Sequence, residues 1–402
     1  MCLNKMMRER PARVGFYIGF NRSFTGGPRT AYNLIRHLDR KRFDPVVITN
    51  RESEFSDAVL KLDIQPIILG QSHRIGEQDG KSLSGGVLRK IAAGKDLLDH
   101  NRSINKILRH HAVKLLWTRN VKGVLLTGLA TKQLGIPLIW DIGMEKHSQG
   151  ILRHLHNLAF RVAARVVTQG DHVQLSTFSA NQLHRNRAKL QTIATGVDDD
   201  RIRDDANPRN RSDPPWDPFR MICVGSVNQR KNQMLLLRAF GRITRQFPFA
   251  QLRLVGPCHD RDYLSQVRSF IAENGLESKV DLLGWRDDVA RLLSECHLFV
   301  LTSNIEGVPQ AVLEAMKSKL PVLATAAGGI PDVITDGKTG WISPVGDEVA
   351  FAEKLSHCLS NQHLLPEVAS AGADFVANQR SIRNWATEYQ ALFDELLVPT
   401  VV

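Results

Sequence analysis

The sequence predicts an α/β protein of two doubly wound domains in succession. Three observations carry that prediction: the length of the chain, a regular alternation of short apolar runs with helical stretches, and one proline-rich interruption of the rhythm. At 402 residues the chain is too long for one ordinary core, since a domain usually takes roughly 150 residues. Short apolar runs spaced by segments long enough for crossover helices are the signature of parallel βα units. The segment 204–218, DDANPRNRSDPPWDP, holds four prolines and reads as a linker or interdomain loop.

Taken in order, strands are expected at Val14–Phe20, Pro45–Thr49, Gln65–Leu69, Lys114–Trp117, Pro137–Ile142, Arg165–Gln169 and Leu190–Ala194. Pro28–Leu38 and Val173–Asn186 suit crossover helices. Gly70 to Gly94, which contains QSHRIGEQDGKSLSGG, reads as a mobile insertion. After the linker the pattern restarts with strands at Phe219–Val224, Gln251–Val255, Val280–Leu283, His297–Leu301 and Pro321–Thr325. Two such halves imply two doubly wound sheets facing across a cleft, with ligands beyond the carboxyl ends of the strands.

Composition, at 43% hydrophobic and 23% charged, is that of a globular protein. No apolar run approaches the ~20 residues of a membrane span. Residues 1–10 have charge but no apolar segment behind them, so no secretory signal is expected. The cysteines (Cys2, Cys223, Cys258, Cys296 and Cys358) are scattered without metal-ligand spacing, as reduced thiols of a cytoplasmic protein would be. Charge is uneven. Residues 1–200 carry 31 Lys and Arg against 17 Asp and Glu, whereas 201–402 carry 22 against 24. The basic half suits an anionic partner: nucleic acid, acidic lipid or a phosphorylated substrate. Against nucleic acid stand a 6% aromatic content and the lack of a nucleic-acid motif.

The strongest chemical signal is residues 302–316, TSNIEGVPQAVLEAM. A buried strand ends there, a tight loop follows, and Pro309 is placed to open a helix. Glu306 then lies in the loop, and Glu314 about one and a half turns into the helix. Gly307 lets backbone approach a ligand, and the free amides around Val308–Ala311 would form an anion site. One carboxylate could then bind ribose hydroxyls and the other a sugar, with a diphosphate between them. The same pair also suits an ordinary helix N-terminus and a solvated helix face.

A second element is Gly225-Ser226-Val227-Asn228-Gln229-Arg230-Lys231-Asn232, between a strand ending at Val224 and a helix that Asn232 would cap. A cation on this loop is placed to neutralise a leaving diphosphate. A third is Thr25-Gly26-Gly27-Pro28, after the first strand, where paired glycines allow a phosphate or acceptor close to backbone. In isolation a Gly-Gly pair is also an ordinary turn.

Ser303 to Pro321 resembles the signature of glycosyltransferase family 4, a retaining family with the GT-B fold (glycosyl transferases group 1). Glu306, Glu314, Ala315, Met316 and Pro321 stand at the matching positions. The likeness continues through Gly328-Gly329-Ile330-Pro331-Asp332, Asp336 to Trp341 and Gly346-Asp347. Upstream it includes Thr195 to Asp198, Leu254-Val255-Gly256 and Leu283-Gly284-Trp285. It is dense over about 195–360 and looser before that.

The resemblance implies an N-terminal acceptor domain (1–203), a linker (204–218), a C-terminal nucleotide-sugar domain (219–381) and a final helix at about 382–397 packing back. It assigns Glu306 to the donor sugar, Glu314 to the ribose, and Lys231 to the diphosphate, with Gly225, Ser226, Gly307, Val308, Pro309 and Gln310 lining the donor. The glycine-rich loop of the acceptor domain maps to Gly26 and Gly27. Two departures stand out. Ser226 occupies the place of the family's arginine, for which Arg230 is the candidate substitute, as in some relatives that build lipopolysaccharide core. Gly143 occupies the place of a histidine near the anomeric carbon, leaving Asp141, Glu145 or His147 as stand-ins.

Asp198-Asp199-Asp200 is read as structural, and His110, His111, His154 and His156 as parts of basic helical faces. The expected activity is retaining transfer of a sugar from a nucleoside diphosphate to a saccharide or lipid-linked acceptor. Cell-surface polysaccharide or lipopolysaccharide would be the product, with no metal or other cofactor required. The protein would be cytoplasmic, with peripheral contact to anionic membrane at its inner face. Alternatives are a basic nucleic-acid-binding protein, a same-fold nucleotide-sugar epimerase or phosphorylase, and a non-catalytic relative.

Overall fold

A computed structural model describes residues 10–19, 26–70, 87–198 and 214–398, with backbone alone for 87–93. The chain divides into two compact units. The first comprises Met1–Thr168, Thr177–Ile193 and Trp385–Val402, the second Gln169–Ser176 and Ala194–Asn384.

The first unit holds a seven-stranded parallel sheet: β1 (Ala12–Ile18), β2 (Phe43–Thr49), β3 (Ile67–Ile68), β4 (Leu115–Arg119), β5 (Leu138–Ile142), β6 (Arg165–Thr168) and β7 (Leu190–Thr192), in the order β3-β2-β1-β4-β5-β6-β7. All seven expected strands are present, with ends shifted by about a residue or two, as assignment of strand ends allows. Leu115, Leu116 and Trp117 are fully buried, the continuous burial of a strand covered by helices on both faces. The expected insertion gives way to helix at Val87, in the middle of Gly70–Gly94, because Val87–His110 forms one helix of 24 residues. Residues 71–86 lie outside the described residues. Ile104 and Leu108 are fully buried on that helix, and Asn101 donates to the carbonyl of Leu125 on the helix Asn120–Leu134.

The single helix expected over Val173–Asn186 is two, Asp171–Thr177 and Ala180–Asn186. Ser179 supplies the break: it starts the second helix in a reciprocal capping box with Gln182. Just before it, Phe178 turns into an aromatic cluster with Trp140, His156 and Phe160. His156 is therefore a fully buried residue rather than part of a basic face. The final helix runs Ile382–Leu397, the expected bounds. Within the first unit, its Phe393 packs edge-on against Phe16 and Phe43. Asp394 and Glu395 pair with Arg42 and Arg165.

The second unit holds six parallel strands: β8 (Phe219–Val224), β9 (Ala250–Val255), β10 (Val280–Gly284), β11 (Leu298–Leu301), β12 (Val322–Thr325) and β13 (Trp341–Ser343), in the order β10-β9-β8-β11-β12-β13. The first five were expected. β13 was not, since three residues after a glycine-containing turn show no periodicity. All four residues of β11 are fully buried. Of the expected linker, 204–213 lies outside the described residues, and its end is not a free linker. Trp216 is buried, stacks on His297 with ring centroids 4.8 Å apart, and donates its amide to Gln362 at 2.6 Å. Trp216 is thus packed into the second unit, while Pro215 and Asp217 on either side of it are exposed. Asp198 is buried beside an isolated bridge between Val197 and Ser381, whereas Asp199 and Asp200 lie outside the described residues.

Candidate active site

The strand order of the second sheet reverses between β8 and β11, and ligands of open α/β sheets bind beyond the carboxyl ends at such a point. The two loops that leave those ends are laced together. Thr302 donates its hydroxyl to the carbonyl of Asn232 at 2.9 Å, and the Asn304 amide donates to the carbonyl of Arg230 at 2.8 Å. Asn232 donates to the Asn304 side chain at 3.1 Å. Asn232 also caps the helix Gln233–Ile243, as expected, accepting from the Leu235 amide in a left-handed conformation (φ 49°). Asparagine tolerates that geometry better than most residues.

This lacing brings three of the expected residues into contact. Lys231 Nζ lies 2.6 Å from Glu306 Oε1, and Arg230 Nη1 lies 3.2 Å from the same oxygen. Glu306 is 7% exposed and Lys231 8%, whereas a third of the Arg230 side chain reaches solvent. Burial alone would raise the Glu306 carboxyl, but Lys231 first and Arg230 second outweigh it and hold the group below its ordinary range. The site is therefore a buried carboxylate carrying two cations, one fixed and one near the surface. Arg230 also donates to the carbonyl of Ile305 at 3.2 Å.

Close backbone packing shapes the floor. At Gly256 a methyl group would sit 2.2 Å from the Gly225 carbonyl, and at Gly328 one would sit 1.8 Å from the Glu306 carbonyl. Glycine is required at both, and Gly328 adopts a left-handed φ of 55°. Pro309 starts the helix Gln310–Lys317 as its N-terminal boundary residue. Glu314 is 4% exposed on that helix, so the solvated-face reading falls away. The expected row of free amides needs correction. The Val308 amide donates to the Gln169 side chain at 3.0 Å, because Gln169–Ser176 belongs to this unit. Of the amides named, those of Gln310 and Ala311 stay in the first turn, which has no intrahelical acceptor. The Gln310 side chain donates to the carbonyl of Gly196 at 3.2 Å. Gly307 accepts from the Gly329 amide at 2.9 Å, and Ser226 accepts from Gln233 at 3.1 Å.

The first unit holds the remaining candidates. Gly26 precedes the helix Gly27–Arg36 with a positive φ of 52°, while Thr25 lies outside the described residues. Asp141 and Glu145 are not free acids. Asp141 pairs with Arg119 at 2.7 Å and accepts from the Tyr389 hydroxyl. Burial raises its carboxyl, and Arg119 with Tyr389 offsets only part of the rise. Glu145 accepts from the Val121 amide at 2.7 Å, the Trp140 indole at 3.3 Å and His156 at 2.8 Å. That is a structural load. His147 is exposed. Sequence reasoning missed Gln169 and Arg119. Both sit at the ends of strands, β6 and β4, and ending β4 at Trp117 hid the arginine.

Among the described residues no group of His, Cys, Asp and Glu could hold a metal ion, and no helix is long and apolar enough to cross a membrane.

Each of the two sheets is Rossmann-like, and the fold of the chain is similar to that of solved GT-B glycosyltransferases. The chain superposes on the Anabaena protein HepE, solved in complex with UDP and glucose, with a TM-score of 0.74 at 18% identity, covering 96% of this chain and 100% of that one. Residues 218–361, which contain Arg230, Lys231, Glu306 and Glu314, match the family model of glycosyl transferases group 1. Curated relatives include N-acetyl-alpha-D-glucosaminyl L-malate synthase of Bacillus anthracis, 28% identical over 44% of this chain and 45% of that protein. Another is the lipopolysaccharide core biosynthesis glycosyltransferase LpsE of Rhizobium meliloti, 27% identical over 43% and 49%. The chain thus spans about half the length of the curated relatives it matches.

Proposed function

We propose that the protein is a glycosyltransferase that moves a sugar from a nucleoside diphosphate to a saccharide or lipid-linked acceptor in building a cell-surface polysaccharide or lipopolysaccharide. The observation that carries this reading is the Lys231–Arg230–Glu306 cluster at the β8/β11 switch point, inside the segment that matches the family model. Cleavage of the bond between sugar and diphosphate leaves negative charge on the diphosphate. A fixed cation, already oriented by Glu306, stabilises that charge without reorganising. In this reading Lys231 and Arg230 meet the diphosphate, Glu306 orients them and faces the sugar, and Glu314 binds the ribose. A metal is not required, because the two cations supply the charge a metal would bring. The transfer retains anomeric configuration, with the departing diphosphate assisting deprotonation of the acceptor hydroxyl on the same face. The relatives' names support a polysaccharide or lipopolysaccharide product, and the basic residues 1–200 support an anionic or lipid-linked acceptor.

A thermal-shift panel of nucleoside diphosphates and nucleotide sugars tests the donor. A ligand at 100 times its dissociation constant raises stability by about 2.7 kcal/mol. No response to any nucleotide would remove the donor site. Product analysis with and without a saccharide acceptor then separates transfer from epimerisation.

A further inference from the structure

The first sheet has its own reversal of strand order, between β1 and β4, and the residues beyond those strand ends converge on one side chain. From β1 come Gly26 and Gly27, opening a helix of 10 residues with no side-chain cap and no acidic residue in its first turn. From β4 comes Arg119, the boundary residue of the 15-residue helix Asn120–Leu134, where Arg119 itself makes no cap and Glu145 takes the Val121 amide. From β5 comes Gly143. The Arg119 side chain is 9% exposed. A methyl at Gly27 would touch its stem, 3.7 Å from Cδ, and one at Gly143 would lie 1.9 Å from Nη2. The guanidinium occupies the place a side chain at 143 would fill.

Arg119 stands opposite Asp141 across β4 and β5 and pairs with it through Nε, and that pair leaves the far edge of the guanidinium unused. A cation at a helix N-terminus has the wrong sign for the helix dipole. An arginine removed from water needs acceptors for five N–H groups. Among the described residues Asp141 is its one ionic partner, 2.7 Å from Nε. The Tyr389 hydroxyl, donating to the same carboxylate, holds that partner in place. Nε is thereby ion-paired on the buried side, and the Nη1–Nη2 edge is left beside the uncapped N-terminus of the helix Gly27–Arg36, whereas at the helix Asn120–Leu134 the Val121 amide is already taken by Glu145. A planar fork next to helix amides suits a phosphate or carboxylate.

We propose that Arg119 is an oxyanion-binding residue of the first unit, taking a phosphate or carboxylate carried by the acceptor, with Asp141 and Tyr389 as positioning residues. The word acceptor rests on the glycosyltransferase reading. The oxyanion site itself does not.

The test is calorimetric titration of inorganic phosphate and, separately, of succinate into the intact protein saturated with the nucleoside diphosphate it binds best. Saturation keeps Lys231 and Arg230 from contributing. Wild type should bind one of the two anions, which identifies the class. Arg119→Lys, which keeps the charge but loses the fork, should weaken binding at least tenfold. Gly143→Ala, which leaves Arg119 present but displaces its tip, should do the same with an unchanged far-ultraviolet spectrum. Arg153→Gln, at an exposed arginine of the same unit, should bind as wild type does. Equal affinity in wild type, Arg119→Lys and Gly143→Ala overturns the assignment, as does a wild type that binds neither anion. Anion binding through Arg119 in a protein that binds no nucleotide keeps the oxyanion site and sinks the glycosyltransferase reading instead.

Discussion

Each unit buries a carboxylate against a cation at the switch point of its sheet, and the two solve the problem in opposite ways. In the second unit Glu306 faces two cations, Lys231 and Arg230, and stays ionised below its ordinary range. In the first, Asp141 faces Arg119 alone, burial wins, and its carboxyl is raised. Desolvating an ion is offset only by well-placed partners. Glu306 therefore contributes to stability through its charge, whereas Asp141 is tolerated as an anion because it holds Arg119.

The comparison is broken most directly at Lys231. Lys231→Ala removes the buried cation where the diphosphate would gain charge, and is expected to lower turnover about 10²- to 10³-fold. Arg230→Ala, at the partly exposed cation, should cost less. If Arg230 serves in place of the arginine absent at Ser226, Ser226→Arg restores activity to Arg230→Ala. A silent Arg230→Ala together with a Ser226→Arg that raises wild-type turnover would falsify that substitution.

Stability tests the carboxylates. Glu306→Gln leaves Lys231 buried without a counter-ion and should cost about 3 kcal/mol near neutral pH. The folded carboxyl lies below the ordinary value of 4.5, so the wild-type contribution is complete above that pH and is lost as pH falls below it. The gap between wild type and Glu306→Gln in urea unfolding should thus narrow as pH falls below 4.5. Asp141 has the opposite sign. Its raised carboxyl favours the fold below the ordinary 3.8 and loses that share as pH rises through the folded value. Asp141→Asn should therefore cost less than Glu306→Gln at neutral pH. Equal costs would erase the distinction between the units.

Glu314 sharpens the donor side. Buried on the helix Gln310–Lys317, it is expected to give up roughly 1.5–3 kcal/mol of nucleotide affinity in Glu314→Ala, as for a hydrogen bond to a charged group. Calorimetry that finds nucleotide affinity unchanged would end the ribose role.

The units also differ in how far they could be read from sequence. Strands β8 to β12, the Asn232 cap and the meeting of Arg230, Lys231 and Glu306 follow from local signals: buried runs, a capping residue, charged loops at strand ends. What stayed hidden depends on partners remote in sequence. Gln169 takes the Val308 amide from 139 positions away. Tyr389 holds Asp141 from 248 positions away. Glu145 looks like a candidate acid until Val121, Trp140 and His156 are seen around it. Trp216 reads as linker until His297 is found beneath it. Periodicity and capping report on neighbours in the chain, so they reveal a βα unit and miss a long-range contact.

The smallest expected effect concerns the basic character of residues 1–200. The span Lys81–Lys114 interleaves cations with apolar residues, and in the described part of the helix Val87–His110 the apolar residues divide. Ile104 and Leu108 are fully buried, so they belong to the unit's core and cannot meet a lipid. Leu97 and Leu98 are 36% and 48% exposed, near Arg102, whose charge is shared with Asp99. A surface of that kind can rest on anionic lipid, each Lys or Arg adding on the order of 1 kcal/mol, an attraction that salt screens. Residues 201–402, with 22 Lys and Arg against 24 Asp and Glu, have no such excess of cations. Vesicle co-sedimentation should then show binding to anionic vesicles at low salt, little to neutral ones, and release at high salt. Leu98→Ser should weaken it modestly, because one exposed side chain supplies only part of the buried apolar area. Equal sedimentation with anionic and neutral vesicles at low salt would mean that the basic half serves a soluble anionic substrate instead, and that the two units differ in ligand rather than in contact with a membrane.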